Sequence, residues 1–330
     1  MTFELDDHWV WDFWFADDGD TFHLFYLHAP KSLGDPQRRH RNARIGHATS
    51  EDLRTWTDLG PVLSPGEPSA FDGTATWTGS VVLGPSDRWY LFYTGSRFLD
   101  AESHANIETV GVATSSDLHT WSKQDGPVLA ADGPWYERFG DGSWPEEAWR
   151  DPWVFADPAG DGWHMLVTAR ANRGPDSDRG VVGHAVSHDL SSWRPAPPLS
   201  EPGAGFEHLE VLQPIETAEG WSVLFSCDTS MLAGSRKVSG ETGGVWIAPA
   251  AGPAGPFFPE DARLILDERL YSGRIITDRA GRQVLLAFVN QDDDGRFVGT
   301  ISDPLPVKDL LPPRPEPPKP RRAAMDEVGS

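Results

Sequence analysis

Apolar and aromatic residues cluster in five short runs along this chain, at positions 21–26, 88–93, 162–167, 220–225 and 281–288. Each run is entered through a glycine or an acidic turn and is rich in β-branched and aromatic side chains, the pattern of a strand bounded by turn formers. A further strand-like stretch precedes each one, at 9–16, 76–83, 149–156, 209–215 and 270–277. A third stretch follows the first three runs as Gly46-His47-Ala48-Thr49-Ser50-Glu51-Asp52-Leu53-Arg54-Thr55-Trp56, and it recurs at 111–121 and 183–193. Weaker equivalents follow the fourth and fifth runs at 245–249 and 298–302. No segment sustains apolar spacing at three and four residues, so long helices are not expected.

Strand order repeated five times, with copies starting at 46, 111 and 183, points to radially repeated blades. The expected fold is all-β, a single five-bladed β-propeller over residues 1–311. A two-sheet sandwich would not carry so long a period. From 312 to 330 the chain is proline-rich, then small and polar, which predicts an extended C-terminal tail. In a propeller the first strand of each blade lines the central channel, so residues distant in sequence meet there. The repeats set the phase and put Asp12, Asp151 and Glu210 at corresponding depths on blades one, three and four.

Composition narrows the partners. The formal net charge is −22 and the pI about 4.7, a surface that repels phosphate backbones and anionic lipid. Neither nucleic acid nor membrane is expected as a partner, and oligomeric state is left open. The basic cluster Arg38, Arg39, His40, Arg41 and Arg44 reads as a solvated loop, with contact to an anionic substrate or another subunit as the alternative. Cys227 is the only cysteine, so no disulfide framework or cysteine metal site arises. His28, His40, His47, His104, His184 and His208 lack ligand spacing, so neither metal nor cofactor is expected. With no apolar stretch of 18 residues and a candidate strand within ten residues of Met1, a cytoplasmic location is expected. Fifteen tryptophans suit sugar stacking as well as blade packing.

The innermost stretches carry the candidate chemistry. Asp12 stands in Trp11-Asp12-Phe13-Trp14, Asp151 in Arg150-Asp151-Pro152, and Glu210 in Leu209-Glu210-Val211. Carboxylates among apolar neighbours are costly unless something uses them. Cleaving a glycosidic bond needs one carboxyl that donates a proton and another that attacks or activates water. A Glu in an apolar setting near other carboxylates is expected to have a raised pKa, which suits the acid. The alternative is that these groups cap turns or pair with Arg150, Arg274 or nearby backbone. His208, two residues before Glu210, should point to the same side of its strand.

Several of these motifs resemble the furanosidase propellers of glycoside hydrolase families 32, 68 and 43. The segment 46–56 resembles a stretch typical of family 32, and Trp77-Thr78-Gly79-Ser80 resembles the segment ending Ser-Gly-Ser. Arg150-Asp151-Pro152 matches the Arg-Asp-Pro motif, and Trp11-Asp12-Phe13-Trp14 is closer to the family 68 nucleophile region. The resemblance implies Asp12 as nucleophile, Asp151 as transition-state stabiliser and Glu210 as acid/base. It makes Arg150 the residue that orients Asp151 and contacts the sugar, with Trp77 and Ser80 lining the pocket; place on or beside the inner strands adds Trp11, Trp14, His208, Gln213 and Tyr271 around the carbohydrate substrate. The implied reaction is retaining hydrolysis of β-fructofuranosides, with fructosyl transfer as a variant. A family 43-like inverting arabinofuranosidase or xylosidase and a non-catalytic sugar-binding propeller are the rival readings. Leu27 and His28 follow Phe25-Tyr26 where family 32 usually has Gln.

Overall fold

The computed structural model describes residues 3–160 and 162–311. The five apolar runs are the second strands of five antiparallel sheets. Blade one comprises His8–Asp17, Phe22–Pro30, Arg44–Ser50 and Thr57–Leu63. Blade two comprises Ala75–Gly84, Arg88–Phe98, Asn106–Ser115 and Ser122–Lys123. Blade three comprises Trp149–Ala156, Trp163–Arg170, Gly180–Ser187 and Trp193–Ala196. Blade four comprises Glu210–Thr217, Gly220–Cys227, Gly244–Pro249 and Arg263–Asp267. Blade five comprises Leu270–Thr277, Gln283–Gln291 and Phe297–Ile301, and its short strand Leu305–Pro306 pairs with the second strand. Each innermost strand touches the next and the fifth touches the first, so the sheets close into a five-bladed propeller. Phe3 seals the ring by exchanging both backbone hydrogen bonds with Ile301 in blade five.

The recurrent Asp-Leu-x-x-Trp is a turn code at the end of the third strand. Asp52 accepts the amides of Arg54 and Thr55 at 2.8 and 2.7 Å. Asp117 repeats this with His119 and Thr120, and Asp189 with Ser191 and Ser192. The following Leu53, Leu118 and Leu190 have φ of 61°, 63° and 66°. That conformation costs a side-chain-bearing residue about 1–2 kcal/mol. Each of these leucines is buried in the blade, which returns roughly 2 kcal/mol. Trp121 and Trp193 then donate their indole N–H to the carbonyls of Leu118 and Leu190. Blades four and five lack this turn, although the weaker segments at 245–249 and 298–302 do fall on their third strands.

The apolar core lies between sheets, in four clusters that follow the ring. His47 and His184, at equivalent places in the repeat, are part of this scaffold. His47 Nε2 meets His23 Nδ1 at 2.9 Å, and His184 Nε2 meets His164 Nδ1 at 2.8 Å. Burial, and then the neighbouring histidine, pulls His47 down to about 3 and His184 to about 4, so both are neutral at ordinary pH. One expectation is corrected here. Arg38, Arg39, His40 and Arg41 of the basic cluster lie in a 3-10 helix, Pro36–Asn42, and Arg39 is buried, whereas Arg38 and Arg44 are exposed as expected. The proline-rich segment from 312 lies outside the described residues.

Candidate active site

All five innermost strands carry one extra residue at the same depth. Pairing with the second strand slips between Trp11 and Phe13, between Trp77 and Gly79, and across Asp151-Pro152, Val211-Leu212 and Ser272-Gly273. A bulge of this kind turns side chains out of the ladder and into the channel. Asp151, Val211 and Ser272 have φ of 58°, 58° and 49°, a costly conformation for such residues, and the cost is concentrated at this one level.

The bulges produce two rings of five. Trp11, Trp77, Arg150, Glu210 and Tyr271 precede the bulges; Asp12, Thr78, Asp151, Val211 and Ser272 begin them. The three acids are therefore not all at one depth. Asp12 and Asp151 are equivalent, whereas Glu210 stands one residue earlier, equivalent to Arg150, because blade four puts Val211 at the bulge.

Among the described residues, Asp12 is held by hydroxyls alone. Thr78 Oγ1 donates to its Oδ2 at 2.7 Å, and Ser272 Oγ donates to its Oδ1. Burial raises its pKa against these two hydrogen bonds, Glu210 adds to the rise, and Arg39 opposes it. Asp151 Oδ2 accepts from Thr168 Oγ1 at 2.9 Å and from the Val211 amide at 3.3 Å, and the Asp151 amide donates to Thr94 Oγ1. Burial pushes Asp151 up to about 7; Arg150 resists, and Glu210 and Asp12 add to the rise.

Glu210 has a cationic environment. Arg150 Nη2 and Nε donate to its Oε1 at 2.8 and 3.2 Å, and Tyr271 O–H donates to its Oε2 at 2.5 Å. Burial favours the neutral acid, but His208, Arg150 and Tyr271 together outweigh it and lower Glu210 to about 2. This reverses the expected raised value: the groups responsible arrive from blade three, blade five and the loop before blade four. His208 Nδ1 sits 3.1 Å from Arg150 Nη2 and must accept, so its proton is on Nε2, 3.4 Å from Glu210 Oε2.

Arg150 is shared among four carboxylates. Besides Glu210, its Nη1 meets Glu108 at 3.0 Å and Glu146 at 2.9 Å, and its Nε lies 3.8 Å from Asp151. One cation cannot neutralise four charges in a buried place, and burial raises Glu108 well above the carboxylate range so that it keeps a proton. Below the triad, Arg274 Nε and Nη1 donate to the carbonyls of Phe13, Val211 and Leu212, tying blades one, four and five, and its guanidinium lies 4.8 Å from the Trp153 ring. It pairs with none of the acids directly.

The remaining candidates separate into site and scaffold. Trp11 and Trp77 flank His40, with ring centroids 6.5 and 6.3 Å away, and Trp77 Nε1 donates to the His40 carbonyl. Trp14 is fully buried and stacks on Phe25 inside blade one. Ser80 Oγ accepts the Val154 amide, stapling blade two to blade three. The Gln213 side chain bridges both backbone groups of Ile275, at 2.7 and 2.9 Å, stapling blade four to blade five. Thr78, Ser272, Glu108 and Glu146 were not singled out from the sequence; hydroxyls and acids in strands carry no local signal of where they point. Among the described residues no group of three or more His, Cys, Asp or Glu is arranged to hold a metal ion.

Comparison with known proteins decides the family. Residues 14–297 match the glycosyl hydrolases family 32 N-terminal domain. The chain belongs to glycosyl hydrolase family 32. A β-fructofuranosidase of Arabidopsis thaliana, insoluble isoenzyme CWINV6, is 30% identical over 193 residues, covering 56% of this chain and 31% of that enzyme. The extracellular sucrase of Zymomonas mobilis is 29% identical over 172 residues, covering 46% of this chain and 39% of that one. This family 32 chain thus spans between about a fifth and two-fifths of the length of the curated relatives it matches. An inulosucrase from Halalkalicoccus jeotgali bound to kestose superposes with a TM-score of 0.72 at 25% identity, over 89% of this chain and 79% of that one. Asp12 lies just outside the span matched by the family model, so its role is argued from its geometry.

Proposed function

We propose that this protein is a retaining glycoside hydrolase acting on β-fructofuranosides. The observation that carries the reading is the unlike partnering of two carboxylates on one face. Asp12 receives only hydroxyl donors, from Thr78 and Ser272, while Glu210 receives a guanidinium and a phenol, from Arg150 and Tyr271. Adjacent residues of one strand, Tyr271 and Ser272, therefore orient both. The relatives' activities and the family membership support the same reading.

In the reaction, Asp12 attacks the anomeric carbon while a proton on Glu210 passes to the departing glycosidic oxygen. Glu210 then takes a proton from water, whose oxygen attacks the same carbon and releases Asp12, so that two inversions give retention. A sugar hydroxyl in place of water gives fructosyl transfer. At rest the proton favours Asp151, raised to about 7, over Glu210, lowered to about 2. Two sugar hydroxyls donating to Asp151 stabilise its ionised form. Arg150, whose Nε lies between Asp151 and Glu210, follows the charge, and Glu210, with less of its cation, takes the proton. Substrate binding thereby arms the acid.

The test is incubation with sucrose, kestose, inulin, arabinofuranosides and xylosides, with product anomers followed by NMR. Release of fructose with net retention is the expected result. Cleavage of only the pentosides, or net inversion, overturns it.

A further inference from the structure

Other buried arginines in this propeller use most of their donors. Arg274 engages three backbone carbonyls through Nε and Nη1, with Nη2 unpartnered among the described residues. Arg170 bonds Glu137 and the carbonyls of Glu207 and Asp176. Arg236 bonds Glu241 and the carbonyls of Ala204, Pro259, Glu260 and Ala262. Arg39 is as buried as Arg236, 8% exposed in each case, yet among the described residues its one hydrogen bond is from Nη1 to the Pro36 carbonyl. Its Nε is buried without a partner. A buried guanidinium with idle donors is an expensive arrangement unless a ligand completes it.

Its surroundings say where that ligand sits. The guanidinium carbon lies 4.3 Å from the Phe297 ring and 5.7 Å from the ring of Trp11, the residue preceding Asp12. Arg39 and Asp12 each feel the other's charge. The next residue, His40, sits between Trp11 and Trp77 in the ring of site residues. The segment is also anchored: Arg41 donates to the carbonyls of Asp100 and Ser103 in blade two, and Asp35 caps the helix by accepting the Gln37 amide. Pro36–Asn42 therefore holds Arg39 against Trp11 and within electrostatic reach of the proposed nucleophile.

We propose that Arg39 is a substrate-binding residue that donates to hydroxyl oxygens of the sugar held at Asp12, while the three acids around that sugar favour neutral donors. This rests on the furanosidase reading above. Arginine has no acceptor, so it reads acceptor oxygens only. An anionic sugar would meet Asp12, Asp151 and Glu210 in the same space on a chain of net charge −22. The charged groups that interact with Asp12 are Arg39, Arg274, Asp151 and Glu210; the two arginines favour its ionised form and the two acids oppose it.

The experiment compares wild type, Arg39→Lys and Arg39→Met on sucrose, kestose and sucrose 6-phosphate, with thermal midpoints as a folding check. Loss of a hydrogen bond from a charged donor should raise KM for the neutral sugars about 10- to 100-fold in Arg39→Met, with kcat changed less than about threefold. Its acid limb of kcat/KM should move to higher pH, because Asp12 loses a cation, while Arg39→Lys keeps the limb and recovers part of KM. Unchanged KM in both variants overturns the proposal, as does a loss confined to thermal stability. Faster cleavage of the phosphorylated sugar than of the neutral sugars by wild type overturns the selection for neutral donors. A wild type inactive on all three sugars refutes the furanosidase reading itself, and this proposal with it.

Discussion

Asp52, Asp117 and Asp189 close the outer turns of blades one to three, while Asp12 and Asp151 sit in the innermost strands of blades one and three. The turn acids are exposed, and amides of their own turns hold them below the usual carboxylate range; for Asp117 this is about 2, with the Thr120 amide the main cause. The inner acids are driven the other way by burial, Asp151 to about 7. The outer acids repeat because each is satisfied within four residues of chain, so any blade can carry one. The inner acids do not repeat. Where Asp12 and Asp151 stand, the other blades have Thr78, Val211 and Ser272. A carboxylate completed by its own turn is scaffold, and one whose burial is left uncompensated points to chemistry.

The sharpest way to break this contrast is to truncate the acids of the innermost strands. Asp12→Ala and Glu210→Ala should each lower kcat/KM on the best fructoside on the order of 10⁴-fold or more, as for residues that act as a unit. Both should keep the wild-type fold by circular dichroism. A protein that merely binds sugar would lose nothing measurable in Asp12→Ala, and that result would remove the catalytic reading of the inner ring.

Stability should respond with the opposite sign. The folded pKa of Asp151, about 7, lies above its unfolded value near 3.8. Such an acid favours the folded state fully below pH 4, and that advantage is lost as pH climbs through 7. Asp151→Asn removes the ionisable group, so the variant should be more stable than wild type at pH 8, by up to roughly 4 kcal/mol, and nearly equal to it at pH 4. Urea unfolding at the two pH values measures this. An Asp151→Asn protein no more stable than wild type at pH 8 would mean that the inner acids are compensated after all.

The propeller was legible because its signals are local. The Asp-Leu-x-x-Trp turns and the apolar runs fixed five blades, and the innermost strands were found within about two residues at each end. Arg150, Trp11, Trp77 and Tyr271 were placed on the right strands for the same reason. What failed to show was depth and direction. A bulge is one residue too many relative to a partner strand, so nothing near Glu210 announced that Val211 would take the place equivalent to Asp12 and Asp151. The low pKa of Glu210 comes from His208, two residues before it, and from Arg150 and Tyr271, about sixty residues away on either side. Arg39 read as solvated because its cover includes Phe297, at the far end of the chain.

The smallest effect tests the scaffold side of the comparison. Asp117→Ala removes the acceptor for the His119 and Thr120 amides, but both are at an exposed turn where water replaces the lost partner. The expected cost is about 1 kcal/mol of unfolding free energy. That cost should shrink as pH falls towards 2, where the wild-type carboxyl takes up a proton and weakens the same hydrogen bonds. kcat/KM should be unchanged, since Asp117 belongs to the turn after the third strand of blade two and the proposed chemistry to the innermost strands. A loss of activity without loss of stability in this variant would mean that the outer turns reach the site, and the division between repeated scaffold and unrepeated chemistry would no longer hold.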